Sequence, residues 1–121
     1  MRERDNGRQA RQPRLSQVAW QTGEPIPLPA GAVRAYGDAW PQVRSPERLA
    51  QVGDLAAQAA HVSAVIVQAL AGVLEGMEPT AEELAARRED IASATLVSAN
   101  SRLSAVGVAL LDLQIVELAW V

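Results

Sequence analysis

Proline placement divides this chain of 121 residues into two parts that cannot fold alike. Six of the seven prolines lie at or before residue 46, and one lies beyond it: Pro13, Pro25, Pro27, Pro29, Pro41, Pro46 and Pro79. Proline removes a backbone donor and clashes with the preceding turn, so it breaks helix interiors. Long helices are therefore predicted only after residue 45.

The first part, residues 1–44, is predicted to be an extended arm. It opens with the Arg-rich segment MRERDNGRQARQPR. LSQVAW at 15–20 suits a short strand if another segment pairs with it, and PIPLP at 25–29 favours a polyproline II strap. Trp20 and Trp40 also lie here. Because large aromatic side chains are typical interface anchors, they predict that the arm lies across a neighbouring surface.

The second part, residues 45–121, is predicted to contain two long helices and no strand. Ser45 is a good N-cap and Pro46 suits the first helical position, so one helix is predicted over about 46–76. Thr80 and Glu83 have the spacing of a capping box, which predicts a second helix over about 81–120. Its apolar seam, in steps of four and three, is Ala92, Leu96, Ala99, Leu103, Val106, Leu110 and Leu113, with Gly107 inside it.

A turn of about four residues between these helices predicts an all-α fold, a long antiparallel hairpin. The plan resembles that of small type VII-secreted hairpin proteins, although the turn reads EGMEPT where the best-known group has WxG, so no residue role is carried over. The second helix would overhang the first by DLQIVELAWV, about 15 Å at 1.5 Å per residue. So much exposed apolar surface predicts an oligomeric helical bundle or another helical partner, with the N-terminal arm as the alternative cover.

Eight residues are predicted to form the interface: Trp20, Tyr36, Trp40, Val108, Leu111, Ile115, Leu118 and Trp120. The hairpin register also predicts ion pairs at the overhang. Arg44 and Arg48 would lie near Asp112, and Arg44 would reach Glu117. The second helix offers these two acids no basic residue three or four positions away, so a partner must come from elsewhere in the chain.

The sequence carries no motif for catalysis, and we predict no catalytic, cofactor-binding or metal-binding residue. His61 is the one histidine and cysteine is absent, so a zinc site lacks its usual ligands. There is no Glu-x-x-His, GxGxxG or GxxxxGK sequence. The acidic cluster at 82–90 is interpreted as solvated charge at a helix start. The prediction is a protein that is not an enzyme and has no small-molecule ligand.

Charge gives a mixed indication about nucleic acid. The net charge is -3 and the pI is near 5.1, which disfavours general affinity for polyanions. All eleven basic residues are arginine, and five cluster at the start of the chain as candidate phosphate contacts: Arg2, Arg4, Arg8, Arg11 and Arg14. Nucleic acid is thus a weakly supported partner.

We predict a cytoplasmic protein or a component of a soluble assembled particle. No apolar h-region follows the charged start, and the most apolar run, VSAVIVQALAGVL at 62–74, is shorter than the roughly 20 residues of a membrane span. The leading function is a non-enzymatic structural or assembly subunit whose arm straps a neighbour, as in a virion, phage or other large particle. One alternative is a dimeric DNA-associated regulator using the Arg-rich arm. Another is a secreted or chaperone-bound helical hairpin.

Overall fold

The computed structural model describes residues 15–121, which form a two-layer α+β fold. In chain order the elements are β1 (Val18–Gln21), β2 (Ile26–Leu28), β3 (Gly31–Val43), α1 (Pro46–Ala50), α2 (Leu55–Met77), α3 (Ala81–Ala86), α4 (Arg88–Leu103) and β4 (Val108–Trp120). A short 3₁₀ turn, Ser104–Val106, joins α4 to β4. The predicted all-α hairpin is therefore wrong, because strands within residues 18–43 form a sheet with residues 108–120, which were predicted to be helical.

β3 is the centre of this four-stranded antiparallel sheet. Along one edge it pairs with β1 near its middle and with β2 at its start. Along the other edge it pairs with β4, from Val33 opposite Trp120 to Val43 opposite Val108. The short strand foreseen in 15–20 thus finds its partner, and β2 lies in the segment that was interpreted as a strap. Residues 18–43 belong to the domain itself.

Two β-bulges explain why β4 resembles a helix in the sequence. The β3–β4 register shifts twice, leaving Val116 and Leu111 as extra residues on β4. A regular strand buries every second residue, but each bulge adds one to the spacing. The side chains buried beneath the helices are consequently two and three residues apart: Val108, Leu110, Leu113, Ile115 and Leu118. Steps of three also suit a helix, so the predicted seam ran on into the strand.

The local helix signals are confirmed even though the helices are shorter than predicted. The Ser45 side chain accepts from the Arg48 amide with Pro46 in the first turn, and Thr80 and Glu83 form the full capping box. The first predicted helix is interrupted at 51–54, where Gly53 has a φ of 136° and Asp54 then caps α2. The second breaks at Arg87 and ends at Leu103, well before the predicted end near residue 120.

Gly107 marks the point where helix gives way to strand, rather than a position inside the second helix. Its φ is 77°, in the left-handed region that favours glycine. Its carbonyl accepts the amides of Arg44 and Ser45 at 2.7 and 3.0 Å, and a Cβ on it would lie 2.6 Å from that of Ser45. This close contact fixes the start of β4 beside the end of β3.

Helices α2 and α4 form the second layer and cover one face of the sheet. α2 buries Val62, Ile66 and Leu70 in the core, and α4 buries Ile91 and Leu103. Among residues 15–121, α2 is the one helix long and apolar enough to cross a membrane, with a mean hydropathy of 1.6. A core helix passes the same test, so this composition is only weak evidence for a membrane span.

Gly37 generates the first prediction, because it lies beside the Val116 bulge, where the backbone of β4 passes close to it. A Cβ at Gly37 would overlap the carbonyl oxygen of Gln114 and lie 3.0 Å from the Trp20 ring. We expect Gly37→Ala to lower the free energy of unfolding by about 3 kcal/mol, the upper end of the usual cost of overpacking, because backbone atoms cannot move aside as a flexible side chain can. The control is Gly72→Ala, which meets nothing closer than 4.0 Å and should add about 0.5–1 kcal/mol. Urea denaturation measures both, and equal effects would contradict the packing described.

Thr95 generates the second prediction. Its side chain is fully buried on α4, and its hydroxyl has no hydrogen-bond partner. Because Val has the same shape without the polar atom, Thr95→Val should raise the free energy of unfolding by about 1 kcal/mol. The same substitution at Thr80, which caps α3, should lower it by about 1 kcal/mol. If thermal denaturation shows Thr95→Val to be destabilised as Thr80→Val is, the assigned environment of Thr95 is wrong.

Candidate functional site

The second face of the sheet is the candidate functional surface, and we call it the outer face. Side chains buried under the helices all project from the opposite face, whereas those on the outer face are exposed or half-buried in the described part of the chain. On β3 the outer positions alternate with small buried residues and read Arg34, Tyr36, Asp38, Trp40 and Gln42. An antiparallel sheet normally places polar residues on such a face, so the two aromatic residues depart from the usual pattern.

Cross-strand pairing arranges the outer face in rows. Tyr36 lies opposite Glu117 on β4 and Gln21 on β1. Asp38 lies opposite Gln114 and Ala19, and Trp40 lies opposite Asp112. Directly opposite side chains are about 4.5–5.5 Å apart at Cβ, so each aromatic residue has an acidic neighbour. We call the residues Tyr36, Asp38, Trp40, Asp112 and Glu117 the acid–aromatic strip.

The two bulges add aliphatic surface beside this strip. Val116 and Leu111 are the extra residues of β4, and their side chains are 44% and 62% exposed. Tyr36 is also 44% exposed. A bulge re-aims the side chain it carries, which explains how apolar residues of a largely buried strand reach solvent.

Two shallow grooves lie along this part of the molecule. One, of about 410 Å³, is lined by Ala19, Trp20, Gln21, Tyr36, Gly37, Asp38 and Val116. The other, of about 360 Å³, is lined by Trp40, Arg88, Glu89, Ala92, Asp112, Leu113, Gln114 and Ile115. Both grooves are open and mix polar with apolar groups, which suits a polypeptide better than an enclosed small ligand.

The free edge of β4 is protected by side chains. Within residues 15–121 this strand pairs with β3 alone, which leaves its other edge without a strand. The Asn100 side chain bonds the N–H and C=O of Leu110, Arg88 donates to the Val116 carbonyl at 3.2 Å, and Asp112 accepts from the Leu113 amide. Side chains that bond the backbone in this way discourage a further strand from adding there.

The predicted interface residues fall into three groups. Trp20 is 1% exposed in the core, and its ring N–H donates to the Asp38 carbonyl at 3.3 Å. Val108, Ile115 and Leu118 are also buried, beneath the helices. Tyr36, Trp40 and Leu111 lie on the outer-face side of the sheet, and Trp120 is half-buried with its ring N–H unbonded. The structure thus brings three of the eight to one solvent-accessible surface.

The predicted ion pairs rested on the hairpin register, and that register does not exist. Arg44 instead donates to the Gln42 side chain at 2.8 Å, and Arg48 to the Ser104 carbonyl at 3.5 Å. In the described part of the chain, Asp112 and Glu117 form no salt bridge with either arginine. The ion pair found there joins Arg87 to Asp90 on exposed surface, 3.6 Å apart, where such pairs add little stability.

The remaining sequence candidates give no second site. Arg2, Arg4, Arg8, Arg11 and Arg14 lie outside the described residues. His61 is half-buried on α2, and no group of three His, Cys, Asp or Glu side chains within 15–121 could hold a metal ion. The outer positions Asp38 and Gln114 were not predicted. The alternation in GAVRAYGDAWPQV could have indicated Asp38, whereas Gln114 lies on β4, where the two bulges interrupt the alternation.

Comparison with known proteins leaves the fold and the surface as the basis for any assignment. No protein-family model matches the chain, and no curated protein matches it. The described residues define a class by architecture, a two-layer α+β domain with one sheet face open.

Asn100 generates the third prediction, because it replaces a strand at the β4 edge. Asn100→Ala leaves both Leu110 backbone groups without their partners and should lower the free energy of unfolding by about 1–3 kcal/mol. Asn100→Asp keeps an acceptor for the Leu110 amide, so its loss should be smaller. Hydrogen exchange should show the Leu110 amide less protected in the Ala variant. Exposed Ser101→Ala is the control, and an Asn100→Ala variant that behaves like it would exclude the edge-capping role.

Proposed function

We propose that this chain is a non-enzymatic assembly subunit that binds a neighbouring copy of itself through the outer face. The observation that carries the proposal is the group Tyr36, Trp40, Leu111 and Val116, which places large apolar side chains where this kind of sheet normally has polar ones. Apolar groups at a solvent-facing patch gain free energy when a partner removes them from water.

Aromatic content strengthens the case for a protein partner. Tyr and Trp are enriched among the residues that dominate binding energy at protein interfaces. Their polar neighbours Asp38, Asp112 and Glu117 supply the hydrogen-bonding rim that such interfaces use. Because polar groups accompany the apolar ones, the face can be exposed to water in the free subunit. A subunit that assembles reversibly needs such a surface.

The capped edge of β4 also favours binding by the face. A neighbour that added a strand to β4 would first have to displace the side chains of Asn100 and Arg88 from the backbone. The outer face requires no such displacement. Contact through the outer face is therefore the lower-cost route to assembly.

The alternative of a DNA-associated regulator is less favoured by the charge distribution. Residues 15–121 carry six arginines against twelve acidic residues, a net charge of −6. A nucleic acid would be repelled by this domain and would depend on the Arg-rich residues 1–14 alone. The secreted or chaperone-bound alternative depended on a helical hairpin, which this chain does not form.

The fourth prediction tests self-assembly on the purified full chain. Light scattering over a concentration series should detect an oligomer that dissociates on dilution. The double variant Tyr36→Thr, Val116→Thr removes apolar area from the outer face while keeping strand-forming β-branched side chains. We expect its dissociation constant to rise by tenfold or more, since about 1.4 kcal/mol of lost burial gives a factor of ten.

Val97→Thr is the matched control, because Val97 is 71% exposed on α4 in the helical layer. It makes the same chemical change on the other side of the domain and should leave the dissociation constant unchanged. Circular dichroism confirms that each variant is folded before the comparison. A chain that is monomeric at every concentration, or one that responds equally to both changes, would refute the proposal.

A further inference from the structure

We infer that the acid–aromatic strip receives an arginine-rich extended peptide, and that its occupant is residues 1–14 of a neighbouring copy. This rests on the proposed assembly and specifies which part of the neighbour lies on the outer face. The strip offers carboxylates at Asp38, Asp112 and Glu117 and aromatic rings at Tyr36 and Trp40. Arginine suits both, because its planar guanidinium pairs with carboxylates and stacks on aromatic faces.

Charge complementarity within the chain supports this occupant. Residues 1–14 contain five arginines against Glu3 and Asp5, a net charge of +3 before the terminal amine. Residues 15–121 carry a net charge of −6. All other arginines of the chain lie within the folded domain, so this segment is its one concentrated source of positive charge. Opposite charges of this size steer encounter between copies and fix which surface is chosen.

The segment is also long enough to cover the strip. Arg34 and Gln42 mark the ends of the outer row of β3, and the eight steps between them at about 3.4 Å per residue span roughly 27 Å. Fourteen residues can extend to roughly 46–50 Å. A connection from one copy to the strip of the next therefore leaves several residues to bridge the gap between subunits.

The direction of the chain favours a neighbour over the same copy. β1 runs antiparallel to β3, with Val18 opposite Ala39, and Leu15, three residues before β1, is buried in the core. The Gln17 side chain donates to Asp38 at 3.4 Å, which holds this approach beside the strip. The chain thus meets the sheet from its Val43 end. Residues 1–14 would have to reverse direction to lie on their own strip, whereas a neighbour's strip needs no reversal.

The fifth prediction is a coupling measurement on the full chain. One variant neutralises the segment (Arg8→Gln, Arg11→Gln, Arg14→Gln), one neutralises the strip (Asp112→Asn, Glu117→Gln), and one combines them. Asp112→Asn retains an acceptor for the Leu113 amide, so the fold keeps that bond. Each of the first two should raise the dissociation constant of the assembly about tenfold or more at low salt. The combined variant should be no weaker than the weaker of the two, because both remove the same interaction.

The control is Glu47→Gln, Glu75→Gln, which neutralises two exposed acids on α1 and α2. Combined with the segment variant, it should show simple additivity. If the effects of the strip and segment variants on the dissociation constant are also additive, the two charge changes act independently through net charge, and the inference fails. Assembly that persists with no coupling would overturn this inference alone, whereas a chain that never assembles would overturn the proposed function with it.

Limited trypsin digestion distinguishes a neighbour's strip from the same copy's strip. The chain has no lysine, so trypsin cuts it only after arginine. Cleavage within residues 1–14, followed by mass spectrometry, should slow as protein concentration rises through the dissociation constant, and should speed up again at high salt. The strip variant should lose this concentration dependence. Protection that is constant with concentration would mean docking within one copy and would overturn the assignment to a neighbour.

Discussion

Pairing between β3 and β4 is the interaction on which the rest of the fold depends. It joins residues 31–43 to residues 108–120. All four helices come between these two strands in the sequence, so the helical segment must return the chain to β3 before β4 can pair. The pairing gives β3 a partner on its second edge and supplies most of the surface that α4 covers. Because DLQIVELAWV belongs to β4, the exposed apolar overhang of the predicted second helix does not exist. The apolar residues of that segment that face inward are buried beneath the chain's own helices.

The sequence predicts local features of this fold well and the long-range ones poorly. Ser45 and the Thr80–Glu83 pair act through hydrogen bonds within four residues, so their signals are complete in the sequence. β4 is different, because its bulges exist only in relation to β3, and they convert a period of two into the mixed spacing that was read as helical. Of the candidate site, Tyr36 and Trp40 were predicted as interface residues, whereas the rows that unite them with Asp112 and Glu117 needed the register.

The small residues on the inner face of β3 make the strand hard to recognise in the sequence, and they also help to explain why its large residues lie on the outer face. The inner positions of β3 are mostly small, Ala35, Gly37 and Ala39 among them, and the Trp20 ring lies against Gly37. Small inner residues weaken the hydrophobic alternation by which a strand is recognised. They also let β1 and the helices pack closely on that side, while the large residues of β3 take the outer positions. The outward position of Tyr36 and Trp40 thus accompanies close packing on the inner face, where small side chains are required.

An exposed strand edge and an exposed sheet face can both bind another chain. In this domain side chains cap the β4 edge, whereas the outer face is left accessible. Asn100, Arg88 and Asp112 bond the backbone along the β4 edge, which opposes indiscriminate strand addition. The outer face has no comparable cover among residues 15–121, and its carboxylates and rings discriminate by charge and shape rather than by backbone pairing. Any partner admitted there must offer complementary side chains. A surface that rejects generic strands while retaining specific contacts is the arrangement expected of a subunit that assembles with a defined neighbour.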